Sequence, residues 1–287
     1  MKPYHSGVAA SPGLRRNALG WLSLQTTQFI PPVPLPYPKT RPLQYLYIAY
    51  AFVTFVGLML LIFPFVLLVS PLGRVRGGNL IYHLLRFWSG SWLFLVGIRH
   101  TVQKFQGALE EGISIFVFNH ISYLDVPLVV ESVRVPFRAL GKAEMRRVPI
   151  FGFIYRMCVV MVDRKDRDDR ARSLRDMRSV LSKGISILIF PEGTFNETER
   201  PLKEFYDGAF RIAIETQTPI QPVVLLDAYE RMHHHSLFSL NPGRSRALFL
   251  GKVPVEGLTP DDVRSLKARV FAMMEDALLA HSDMYRP

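Results

Sequence analysis

GISIFVFNHISYLD (residues 112–125) and GISILIFPEGT (residues 184–194) decide how this chain is read. Each begins with a glycine and a short uninterrupted apolar run. Each then ends on groups capable of chemistry: Asn119 and His120 after the first, Pro191, Glu192, Gly193 and Thr194 after the second. Runs of this kind are the pattern of strands covered on both faces of a sheet. Further strands are expected at PFRAL near Pro136, at MCVVMV (157–162), which holds the lone Cys158, at IQPVVLL (220–226) and at ALFLGKV (247–253). Helices are expected between them at about 125–132, 146–155, 163–183 and 208–216, with Gly184 in the position favoured for a C-cap. Thr259 is an N-cap candidate, with Pro260 at the first helical position and Asp261 and Asp262 in the first turn. Val263, Leu266, Val270 and Met273 follow on one apolar helical face. The fold class is α/β: a mainly parallel central sheet flanked by helices. Sites in such sheets lie beyond the carboxyl ends of the strands, where both quoted stretches end.

Upstream the chain changes character. The 287 residues carry a net charge of +11, yet the first acidic residue is Glu110. Ten basic residues precede it (Lys2, Arg15, Arg16, Lys39, Arg41, Arg74, Arg76, Arg86, Arg99 and Lys104), so the excess charge belongs to the N-terminal third. A nucleic-acid binder would carry its charge on a folded face. A basic, acid-free segment around an apolar run fits a membrane anchor meeting anionic lipid, and no nucleic-acid partner is expected. Residues 45–69 are almost wholly apolar, long enough to span a bilayer with some tilt, with Tyr45, Tyr47 and Tyr50 at the start and a kink expected at Pro64. Residues 80–98 carry His83, Arg86, Trp88 and Trp92 and read as an interfacial segment. The division is therefore a Pro-rich basic leader (1–42, with PPVPLPYP at 31–38), membrane-anchoring helices (43–98) and a folded domain (99–287). One cysteine excludes a disulfide framework, and the 49% hydrophobic content excludes a disordered chain.

His120 and Asp125 form H-x4-D. An imidazole directly after a buried strand, with a carboxylate one turn on, suits a general base and the group that orients it. No G-x-S-x-G elbow supplies a protein nucleophile, so the base activates a hydroxyl of the substrate or a water. A His and an Asp alone give too few ligands for a metal, and no H-E-x-x-H occurs. His233, His234 and His235 read as a solvated loop tract.

NHISYLD (119–125), GKAEMRRVPIFG (141–152), VDR (162–164), FPEGT (190–194) and TPIQPV (218–223) stand in the order of the four blocks of the glycerolipid acyltransferase family, which this chain resembles. The resemblance implies an enzyme that moves an acyl chain from acyl-CoA or acyl-carrier protein to a lysophospholipid. The acceptor would be 1-acylglycerol-3-phosphate and the product phosphatidic acid. It implies membrane lipids as partners and the cytoplasmic side of a bacterial inner membrane as the location. By the same resemblance, His120 deprotonates the glycerol hydroxyl and Asp125 orients it. Asn119, Lys142, Arg164, Glu192, Gly193 and Thr194 bind substrate. Among these, Glu192 contacts the glycerol, Lys142 and Arg164 the phosphate, and backbone amides around Gly193 the oxyanion. No cofactor or metal is implied. Two departures stand out. Phe195 occupies a position where the resemblance implies a phosphate-binding Arg, and EFYDGAF carries Asp207 in place of a basic residue, with Lys203 nearby. They leave two outcomes: another base such as Arg164 or Lys142 carries the phosphate contact, or the enzyme is an O-acyltransferase for a lysolipid with another headgroup. From other function classes, a thioester hydrolase and a non-catalytic lipid-binding membrane protein are the alternatives.

Overall fold

The structure is a computed structural model and describes residues 42–105, 112–163, 167–198 and 200–285. The leader to residue 41, and Arg164, lie outside the described residues. In chain order the elements are α1 (Pro42–Val69), α2 (Gly78–Leu95), β1 (Ile98–Lys104), β2 (Ile115–Phe118), α3 (Asp125–Ser132), β3 (Phe137–Lys142), α4 (Phe151–Cys158), β4 (Val159–Val162), α5 (Arg167–Leu181), β5 (Ser186–Ile189), α6 (Gly208–Thr216), β6 (Ile220–Leu225), the short α7 (Ala228–Arg231), β7 (Gly243–Phe249) and α8 (Val263–His281).

The strands form one sheet in the order β1-β7-β6-β2-β5-β3-β4. All neighbours are parallel except β6 and β7. The expected mainly parallel sheet is thus present. Every residue of β2, β5 and β6 is buried, which is why these strands read as unbroken apolar runs. One face (Ile115, Val117, Ile187, Ile189, Val224) packs with residues of α5, α6 and α8. The other (Phe116, Phe118, Leu188, Val223, Leu225) packs on α3, with Tyr82, Trp92 and Leu93 of α2 in the same cluster. The capping box at Thr259 is formed with Asp262. In α8 Val263, Leu266 and Val270 are buried as expected, but Met274 takes the buried place expected for Met273.

Three details differ from the sequence reading. Met157 and Cys158 close α4 rather than open a strand, and Cys158 is buried there. The domain boundary set at residue 99 falls inside β1, a sheet-edge strand with polar and apolar residues interleaved. The third is one of degree: the segment read as interfacial is α2, which buries Ile81, Tyr82, Trp88, Trp92 and Leu93 against the protein while Leu80, Phe87, Phe94 and Leu95 stay exposed.

Helices α1 and α2 form an antiparallel hairpin. Trp88 and Trp92 donate their indole N–H to the carbonyls of Phe55 (3.1 Å) and Ala51 (2.9 Å), and Tyr47 donates its hydroxyl to Val96 O (2.7 Å). The helical stretch from Leu43 to Leu95 contains a window of mean hydropathy 2.8, apolar enough to cross a membrane. The expected span meets a geometric fact, however: both ends of α1 touch the same domain. At its start Gln44 donates to Leu240 O (2.5 Å) and Tyr45 packs on Phe238. Past its end Arg74 donates to Val159 O (2.9 Å), while buried Arg138 donates to the carbonyls of Arg74 (2.5 Å) and Val75 (3.3 Å). The outer side of α1 carries exposed Leu46, Phe52, Val53, Leu60, Leu61, Phe65 and Leu68. The helix continues through Pro64.

Candidate active site

Strands β6, β2, β5, β3 and β4 run parallel, so their carboxyl ends line one edge of the sheet. β2 and β5 are direct neighbours there, in the register Ile115↔Ile187 to Val117↔Ile189. That register sets His120 beside Glu192, although 72 residues separate them: the His120 backbone N–H donates to Glu192 Oε1 at 2.8 Å.

The imidazole of His120 is held on one side only. Its Nδ1 lies 2.8 Å from Asp125 Oδ2. The same oxygen accepts the backbone N–H groups of Ile121 (2.7 Å) and Ser122 (2.9 Å). Asp125 is fully buried, whereas the His120 side chain is 20% exposed. An ionised carboxylate only accepts, so the proton resides on Nδ1 and the lone pair on Nε2. Nε2 has no hydrogen-bond partner among the described residues. Two rings enclose the imidazole, Phe190 stacked at 4.2 Å and Phe195 tilted at 4.4 Å. Phe195 in turn meets Tyr123 (5.0 Å) and stacks on His234 (5.9 Å).

Glu192 has no exposed surface, and both its oxygens accept backbone N–H groups, from His120 and from Lys203 (2.9 Å). Burial pushes its carboxyl up to about 8, against the pull of those two hydrogen bonds. The expected glycerol contact therefore finds no exposed oxygen, and the side chain instead ties the strand-end loops together. Asn119 is likewise turned inward: its amide donates to Leu225 O (3.2 Å) and accepts from Leu225 N (2.7 Å), replacing a missing rung between β2 and β6. It holds the strand end and offers little surface to substrate.

Gly193 takes φ +76°, a conformation that favours glycine, and its own N–H is used by Phe190 O (3.1 Å). The next two backbone N–H groups, of Thr194 and Phe195, have no partner among the described residues. They lie around Gly193, as the resemblance implied for oxyanion donors. Thr194 is exposed. Lys142 ends β3 on the far side of β5 from His120, with an exposed side chain. Arg146 and Arg147 are exposed in the following turn. Asp207 is paired with Lys267 of α8 (2.7 Å), so its charge is neutralised. The histidine tract is solvated only in part: His235 is exposed, but His234 is 9% exposed, its Nδ1 faces Ile121 O at 3.3 Å, and burial lowers its proton affinity. What the sequence did not reveal was this aromatic enclosure, whose members lie far apart in the chain. A cleft of about 430 Å³ between α2, α3 and β1 shares none of these residues.

A buried carboxylate, an oriented imidazole with a free nitrogen and two open amides equip the site to deprotonate an alcohol and stabilise an oxyanion. The family described as Acyltransferase matches residues 99–226. An uncharacterized acyltransferase of Schizosaccharomyces pombe is 32% identical over 200 residues, covering 65% of this chain and 70% of that protein. Human 1-acyl-sn-glycerol-3-phosphate acyltransferase alpha is 30% identical over 206 residues, covering 71% of this chain and 72% of that protein. A crystal structure of the 1-acyl-sn-glycerophosphate (LPA) acyltransferase PlsC from Thermotoga maritima superposes with a TM-score of 0.68 at 20% identity, over 83% of this chain and 97% of that one. The chain belongs to the glycerolipid acyltransferase family, and it is an enzyme of the acyltransferase class.

Proposed function

We propose that the chain acylates the free hydroxyl of 1-acylglycerol-3-phosphate, with acyl-CoA or acyl-carrier protein as donor, to give phosphatidic acid. The observation that carries this reading is the 2.8 Å contact of His120 Nδ1 with Asp125, which leaves Nε2 bare. Nε2 takes the proton of the acceptor hydroxyl while its oxygen attacks the thioester carbonyl. The Thr194 and Phe195 N–H groups receive the oxyanion. Collapse of the tetrahedral intermediate expels the thiolate, which recovers the proton from the imidazolium. Asp125 keeps the ring oriented and stabilises its charged form throughout. The reaction as written needs no cofactor or metal.

The acceptor is a membrane lipid, so the site must work at a bilayer surface. With both ends of α1 on the domain, the hairpin lies along the protein and its exposed apolar side dips into one leaflet. We place the catalytic domain on the cytoplasmic side of a bacterial inner membrane, the face a soluble acyl carrier reaches. One observation favours a second acceptor class, a lysolipid with a different headgroup: Phe195 presents a ring to His120 where the family resemblance implies a cation. The test is acyl transfer from labelled donor to a panel of lysolipids. Preference for 1-acylglycerol-3-phosphate is expected, and equal or better use of other headgroups overturns that choice. Release of free fatty acid without dependence on acceptor would instead indicate a hydrolase.

A further inference from the structure

Resting on that reading, we infer that Lys203 is the cation that holds the acceptor's phosphate, with the Thr194 hydroxyl beside it. In 1-acylglycerol-3-phosphate the reacting hydroxyl and the phosphate are on adjacent glycerol carbons. The groups that receive them must therefore be neighbours. Lys203 meets that condition in two independent ways. Its Nζ lies 2.7 Å from Thr194 Oγ1, one residue from the Phe195 ring that rests on His120. Its backbone N–H is held by Glu192 Oε2, while Glu192 Oε1 holds the backbone N–H of His120. One buried side chain thus fixes the base and this lysine relative to each other.

The charge is also available. Lys203 takes part in none of the ion pairs among the described residues. The nearby Asp207 is occupied by Lys267. A hydroxyl contact is weak for an ammonium, and a phosphate monoester replaces or shares it with a charge-assisted one. Lys142, by contrast, stands at the end of β3, with β5 between it and the strand that delivers His120. Phe195 leaves the adjacent wall apolar, and Lys203 is the cation whose side chain reaches the FPEGT loop, at Thr194. Thr194 supplies a hydroxyl that can donate to a phosphate oxygen.

The experiment uses the full chain on vesicles of phosphatidylglycerol and phosphatidylethanolamine, with two acceptors: 1-acylglycerol-3-phosphate and 1-acylglycerol, which has the same hydroxyl and no phosphate. Lys203→Met is expected to raise KM for the phosphorylated acceptor by about ten- to a hundredfold, the span of one charged hydrogen bond. It should leave transfer to 1-acylglycerol within about twofold, and Lys203→Arg should restore most of the loss. Equal losses on both acceptors would show a structural role and overturn the inference. So would an unchanged KM for the phosphorylated acceptor. In both cases the proposed activity stands as long as the wild type transfers to that acceptor. A wild type that does not use it refutes the proposed acceptor, and this inference with it.

Discussion

Replacing Glu192 with glutamine separates two roles that the sequence does not distinguish. Each Glu192 oxygen accepts a backbone N–H, from His120 at 2.8 Å and from Lys203 at 2.9 Å, and none of the side chain is exposed. Ionised or protonated, a carboxyl keeps a lone pair on each oxygen, whereas an amide has one oxygen and one NH2 that accepts nothing, so Glu192→Gln must point donors at one of the two N–H groups. One hydrogen bond is lost and a buried N–H is stranded, at a cost of about 1–3 kcal/mol. For a chain of this size that is a fall in Tm of roughly 2–5 °C. Because the stranded group belongs to the loop of the base or of Lys203, kcat should drop as well. The pH dependence gives a second readout. The folded carboxyl is raised to about 8 from 4.5, so between those values the folded state binds more protons than the unfolded one. Stability from this group is complete below the unfolded value and is lost as pH rises toward 8. Wild-type Tm, followed by thermal unfolding in detergent across that window, should fall with rising pH, and Glu192→Gln should flatten this part of the profile. An unchanged Tm with only acceptor KM raised would refute the clamp and return Glu192 to substrate contact.

Three further outcomes follow from the same geometry. Asp125→Asn removes the charge that stabilises the imidazolium and disturbs the proton position on His120, so kcat should fall by roughly a thousandfold with little change in KM, measured in steady-state acyl transfer. Leu61→Asp and Leu68→Asp place charges on the exposed side of α1; at roughly 2.5 kcal/mol each, partition onto vesicles in co-sedimentation should weaken by about fiftyfold or more per site, and unchanged partition would contradict the leaflet-dipping hairpin. Phe195→Ala opens one side of the enclosure around His120, and a several-fold loss of kcat is expected in steady-state acyl transfer, because the ring that packs on the imidazole no longer restricts it.

The sequence was most informative where physics is local. β2, β5 and β6 are buried on both faces, so their apolar runs stand out, and the groups that follow them had to lie at one edge once the strands were parallel. The His120–Asp125 pair spans five positions and is closed by the first turn of α3, so its spacing was legible. The roles of Asn119 and Glu192 were not. Their partners are Leu225, His120 and Lys203, and only the sheet order shows that these polar groups are consumed by the backbone. β1 alternates polar and apolar residues at a sheet edge, which reads as loop. The apolar character of α1 was plain, but that both its ends rest on one domain depends on Gln44 and Arg74 reaching carbonyls far along the chain. His234 looked solvated because nothing in its neighbourhood announces Phe195.

The account rests on one nitrogen, His120 Nε2, removing a proton from a lipid alcohol. Single-turnover acyl transfer by vesicle-bound His120→Ala, with acceptor binding measured in parallel, tests it most directly. A loss in rate on the order of a thousandfold with acceptor binding retained is the predicted result. Transfer within about tenfold of wild type would contradict it.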